Sequence, residues 1–218
     1  MKTDFELQQD VLDELLWDPS LDSAEIGVSV NDGVVTLSGV VNSYTKKLAA
    51  EKAAKRVKDV TAVAMEIDVH FFNGEGKSDI DIAHAGLNAL SWSTVVPKDS
   101  VTIKVEDSWL TLDGEVEWQY QKQAAENLVK DLQGVKGVTN LIRLKPTPNQ
   151  SIVKDAIRKA LERSADVEAA AINIITEGNH IILKGKVRSW GERNEVEKAV
   201  WATPGVVDVK DELIVAPY

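Results

Sequence analysis

One pattern runs through this chain three times, and that repetition limits its fold more than any other feature. Aligned on Gly39, Gly114 and Gly185, the copies start 75 and 71 residues apart and run without a gap across most of their length. Internal repeats of this kind are read before anything else, because each one is a single structural unit. Each copy is roughly 65–70 residues, near the lower size at which one core folds alone. A chain of 218 residues is therefore expected to be three small domains, at residues 1–72, 78–145 and 150–218. The repeat weighs against one large enzyme pocket.

Each copy opens with a helix signal. Thr3-Asp4-Phe5-Glu6 is a capping-box pattern, and Phe5, Val11, Leu12, Leu15 and Leu16 follow at roughly helical spacing. The second copy has Ile80, Ala83, Leu87 and Leu90 behind Ser78. The third has Ile152, Val153, Ala156, Ile157, Ala160 and Leu161 behind Ser151. Two alternating strands come next: Ile26, Val28 and Val30, with counterparts Val101, Ile103, Val105 and Ile172, Ile174, Thr176. The turn Asn31-Asp32-Gly33 leads back through Val35 and Leu37 to the anchor glycine. A second helix over about 45–58 closes near Asp59, with Gly134 and Gly205 at the same place in the other copies. Val60, Val135 and Val206 begin a turn into the last strand, which carries Val63, Ile67 and Val69 and their counterparts.

The order is helix, strand, strand, helix, strand. A strand–helix–strand crossover pairs its strands in parallel. Each unit is thus expected to be α+β, α-β-β-α-β, with a three-stranded mixed sheet and two helices on one face. The linkers are Asn73-Gly74-Glu75-Gly76-Lys77, flexible by composition, and Pro146-Thr147-Pro148-Asn149, stiffer.

These residues resemble the BON domain (bacterial OsmY and nodulation). The resemblance rests on Gly33-Val34-Val35-Thr36-Leu37-Ser38-Gly39, the helix Ala50-Glu51-Lys52-Ala53-Ala54, and Val60 with Val63. Leu110-Thr111-Leu112-Asp113-Gly114 and Gly134-Val135-Lys136-Gly137-Val138 repeat it. So do Ile182-Leu183-Lys184-Gly185 and Gly205-Val206-Val207-Asp208-Val209. The resemblance implies a non-enzymatic module tied to phospholipid or membrane interaction, envelope integrity and osmotic stress. Its best-known members are exported, periplasmic and two-copy; this chain has three copies. The motif positions are core and turn positions, so the resemblance transfers no binding residue.

Charge narrows the partners. The net charge is −10, most of it in the first copy, so duplex nucleic acid is excluded as a partner on electrostatic grounds. No stretch approaches the ~18 apolar residues of a membrane span. The N-terminus has no apolar core or cleavage site of a signal peptide. The expected location is cytoplasmic, or periplasmic if a leader was removed. Without cysteine there is no thiolate chemistry or disulfide.

No catalytic, cofactor or metal constellation is visible. His70, His84 and His180 fall at three different repeat positions, whereas a zinc site needs convergent ligands. Asp79/Asp81 and Glu115/Glu117 read as cap or solvated strand residues. The recurrent Glu51, Glu126 and Glu197 read as structural. The aromatics are the candidate contacts. Trp17 and Trp92 stand at equivalent positions after the first helix. Tyr44, Trp118 and Trp190 stand at the start of the second. They either cap small cores or anchor at a lipid or partner surface. Around Trp190, the residues Lys186, Arg188 and Arg193, with Lys184, form a basic–aromatic cluster suited to headgroup docking. Lys184, Lys186 and Arg188 could equally be the solvent face of a strand. The expected function is therefore non-catalytic binding of a phospholipid surface. The alternative is a cytoplasmic protein-interaction adaptor that pairs a partner strand on an exposed sheet edge.

Overall fold

The computed structural model describes residues 2–21, 25–71, 76–146, 154–163 and 169–216, with the backbone alone for 154–156. Unit 1 consists of α1 (Asp4–Trp17), β1 (Ile26–Asn31), β2 (Val34–Val41), α2 (Tyr44–Arg56) and β3 (Ala62–Val69). Unit 2 has α3 (Asp79–Trp92), β4 (Val101–Glu106), β5 (Trp109–Val116), α4 (Gln119–Lys130), β6 (Gly137–Asn140) and β7 (Arg143–Leu144). Unit 3 has α5 (Lys154–Glu162), β8 (Ile172–Glu177), β9 (His180–Val187), α6 (Trp190–Trp201) and β10 (Asp208–Val215). Ser151, Ile152 and Val153, the side chain of Ala156, and the linker stretches 73–75 and 147–149 lie outside the described residues.

Each unit is the expected α+β sheet-and-helix layer. The second strand is central, antiparallel to the first and parallel to the last. One departure is local: in unit 2 the last strand is two segments, β6 and β7, interrupted at Leu141–Ile142. One sheet face is buried. Val35, Leu37 and Val41 of unit 1 line it, as do Leu110, Leu112 and Val116, then Ile181, Leu183 and Val187. A central strand that buries alternate residues needs helices on one side only.

The anchor glycines have a single physical cause. Gly39, Gly114 and Gly185 have φ of +129°, +143° and +136°. A Cβ there would lie 2.1–2.2 Å from the carbonyl oxygen of Glu25, Ser100 or Ala171. Only glycine fits both the dihedral and the approach of the first strand.

The first helices bury only part of the expected apolar positions: Val11, Leu15, Leu90, Ile157 and Leu161 face inward as expected. Leu7, Val11 and Leu15 are buried in unit 1, and Ile82, Gly86 and Leu90 in unit 2, an i, i+4, i+8 row; Ile157 and Leu161 continue it in unit 3. Phe5, Leu16, Ile80 and Leu87, expected on the inner face, are exposed. In unit 2 the helix approaches the sheet closely at Gly86. A Cβ on Gly86 would lie 2.7 Å from Ile103 Cδ1.

The helix starts are fixed by local bonds. Thr3 and Glu6 form the capping box. Ser43, Ser78 and Ser189 accept from Lys46, Asp81 and Glu192 N–H. Asp4 and Asp79 do something else. Each carboxylate accepts two backbone N–H groups of its own hairpin turn: Asp32 and Gly33 at 2.9 and 3.2 Å, Asp107 and Ser108 at 3.0 and 2.9 Å.

Candidate functional site

Units 1 and 3 meet through their second helices, unit 1 meets unit 2 chiefly beside β6, and the position five residues after each anchor glycine stands at a joint. In unit 1 it is Tyr44, which packs on the core of unit 2 and hydrogen-bonds to the Val138 backbone. Burial holds its phenol above the usual range. Lys136 of unit 2 reaches back over Phe71, 6.0 Å from the ring centroid. In unit 3 the same position is Trp190, half-buried in a cleft with Leu48, Glu51, Lys52 and Lys55 of α2. Lys55 Nζ stands 4.7 Å and Arg193 Cζ 5.0 Å from its centroid. In unit 2 it is Gln119, which lines a cleft with Asn194, Glu197 and Trp201 of α6.

Three residues further along each second helix is a cation, and each is directed inward rather than to solvent. Lys47 Nζ donates to the Ile67 carbonyl at 2.7 Å. Lys122 is held below the ordinary lysine range by burial, against the opposing pull of Glu126 and of Asp208 from unit 3. Arg193 pairs with Asp211 at 2.6 Å. The recurrent glutamates sit beside them. Glu51 pairs with Lys55 at 2.6 Å, and Glu126 accepts from Asn140 at 3.1 Å. Glu197 is held above the usual carboxylate range, first by burial and then by its hydrogen bond to Asp211. Glu126 and Glu197 tie helix to strand within their units, whereas Glu51 pairs within its own helix.

The basic–aromatic cluster of unit 3 is thus largely spoken for within the protein. Trp190 is part of a joint, Arg193 is paired with Asp211, and Arg188 pairs with Glu192 at 3.3 Å. Lys184 pairs with Glu212 at 3.1 Å, and it and Lys186 lie on the exposed face of β9. Trp118 is partly exposed and stacks on Tyr120, centroids 6.5 Å apart. Trp17 and Trp92 differ from all of these. They are 83% and 88% exposed, at the last residues of α1 and α3. Phe5 and Leu16 on α1, and Ile80 and Leu87 on α3, extend the exposed apolar surface of the same helices.

The three histidines are exposed and far apart in the chain. Among the described residues no group of His, Asp and Glu is arranged to hold a metal ion, and no helix is long and apolar enough to cross a membrane.

Comparison with known proteins bears on the same architecture. Osmotically-inducible protein Y of Escherichia coli (strain K12) is 32% identical over 134 residues, which is 58% of this chain and 65% of that relative. The matched part therefore spans less than two thirds of the relative's length. Two structures of CdsD, the structural protein of the type III secretion system of Chlamydia trachomatis, align at 14% identity with a TM-score of 0.25. They cover 98% and 100% of this chain and 93% and 100% of theirs, a likeness too low to bear on the fold. The BON domain matches three times, over residues 3–70, 78–146 and 149–217. With nearly the whole chain covered, the protein belongs to the BON-domain family, as three tandem copies.

Proposed function

We propose that this protein is a non-catalytic binding protein that docks on a phospholipid surface through Trp17 and Trp92, in the response to osmotic or envelope stress. One observation carries the reading: two tryptophans at equivalent positions are left almost fully in water while every core beside them is closed. An indole has an apolar body and a polar N–H, which suits the boundary between headgroups and acyl chains. The neighbouring Phe5, Leu16, Ile80 and Leu87 add apolar area to the same helices. The similarity to an osmotically inducible protein supports the stress setting. The net charge of −10 and the paired cations of unit 3 argue for insertion rather than electrostatic attraction.

The test is flotation with vesicles of phosphatidylcholine, with and without phosphatidylglycerol, at low and moderate salt. Binding is expected to both, with little salt dependence. Trp17→Ala with Trp92→Ala should weaken it by about tenfold or more. Trp190→Ala with Arg188→Ala should leave it near wild type. If the Trp17/Trp92 variant floats as well as the parent, the docking surface is wrong. No flotation at all would move the assignment to a protein partner.

A further inference from the structure

Of the clefts at the three joints, the one between units 2 and 3 is the largest. It has a volume of about 1120 Å³, just above the roughly 300–1,000 Å³ of ordinary small-molecule sites. Trp118, the residue capping α4, and Tyr120 in its first turn form one wall, their rings inclined at 25°, and Trp201 of α6 stands on the other. Between the aromatic walls the polar groups are mostly amides: Gln119, Gln123 and Asn127 from α4, Asn194 from α6. Among the described residues no group donates to the buried Oε1 of Gln119. A buried acceptor left without a donor costs about 1–3 kcal/mol, so a turn of the Gln119 amide toward a ligand donor in the cleft would be favourable.

The lining also says what does not belong there. The cations are Lys52 and Lys198, and Lys198 is paired with Glu195 at 2.6 Å. Glu197 is the one carboxylate on the cleft. A polyanion would find little to hold it. An acyl chain would strand four amides. A proline-rich segment could lie on the aromatic walls, but it lacks the N–H groups that Gln119 Oε1 requires. A sugar ring has an apolar face of C–H groups for the indole and phenol rings, and a rim of hydroxyls that both donate and accept. We propose that the cleft between α4 and α6 binds a neutral oligosaccharide, stacked on Trp118, Tyr120 and Trp201 and hydrogen-bonded by the amides that face them.

This site is separate from the Trp17 and Trp92 surface, and the two are tested apart. The full chain is titrated with maltotriose, cellotriose and triacetylchitotriose. The side-chain NMR signals of Gln119, Gln123, Asn127 and Asn194 and the indole N–H of Trp118 and Trp201 are followed. At least one trisaccharide is expected to shift them saturably, with a Kd of about 1 mM or tighter. Trp118→Ala and, independently, the more exposed Tyr120→Ala should each weaken that binding about tenfold without lowering the melting temperature or altering flotation. The proposal is overturned if none of the three sugars moves these signals at about 10 mM. It is also overturned if binding survives both substitutions, or if a proline-rich decapeptide occupies the cleft more tightly than any of the sugars.

Discussion

Lys55 of the first unit holds its ammonium over the Trp190 ring of the third, 4.7 Å from the centroid. A side chain near one end of the chain thus meets an indole about 135 residues later. With Arg193 at 5.0 Å, the ring faces two cations, each interaction worth about 0.5–2 kcal/mol depending on exposure. Trp190→Ala should lower the stability of the whole chain by about 2 kcal/mol in urea unfolding, ring packing included. It should also shift the NMR signals of α2, which belongs to another unit. Unmoved α2 signals would show that the joint contributes nothing in solution.

The anchor glycines allow a quantitative contrast. Gly114→Ala places a methyl group 2.1 Å from the Ser100 carbonyl at φ +143°. It should cost about 3 kcal/mol or more, strain and overlap together. Gly178 also has positive φ, +62°, but nothing lies within 4 Å of its added Cβ. Gly178→Ala should cost only about 1–2 kcal/mol. Equal losses in urea titrations would mean that the close approach is not what selects glycine.

Asp79 holds a strained turn. Asp107 and Ser108 both have positive φ, +52° and +66°, and both donate their N–H groups to the Asp79 carboxylate. Asp79→Ala should lower stability by about 1–3 kcal/mol. Ser108→Gly, which relieves the dihedral, should recover part of that loss in the same background. A fully additive pair would argue that carboxylate and turn are independent.

Glu197 makes a pH-dependent prediction. Its folded-state pKa is raised above the ordinary 4.5, by burial first and by Asp211 second. The folded protein therefore holds this proton more tightly than the unfolded chain. The contribution is fully present below 4.5 and fades as pH rises above it through the folded value. Glu197→Gln keeps a donor toward Asp211 and carries no charge. Melting curves should show the variant at least as stable as the parent at pH 7, with a flatter profile between pH 4.5 and 7. A variant that melts lower at neutral pH would reverse the sign.

What was legible in the sequence was whatever the three copies share. The five-element order, the central second strand and the anchor glycine all recur at fixed register, because each unit closes its own core in the same way. The first helix misled for a specific reason. Phe5 and Leu16 stand in one apolar set with Val11 and Leu15, and periodicity alone does not say which of them the sheet receives. The joints were only half legible: Tyr44 and Trp190 stood out as aromatics, but Gln119 did not, because the joints use a position where the copies differ. Tyr44, Gln119 and Trp190 share a register but no chemistry, and alignment on the repeat treats such a column as noise. The basic–aromatic cluster around Trp190 was visible as a composition, while the partners Asp211 and Glu192 that neutralise it were not.

Because each joint uses a different side chain at the same register, the three modules are not interchangeable bricks. A phenol fits against the middle module, an indole fits beneath the lysine of the first, and an amide lines the roomiest seam. Permuting the modules, or building a chain from three copies of any one of them, would keep every individual core and scramble every seam. The family motif records how to make one brick; the unshared column beside it holds the assembly instructions, including which seam is roomiest.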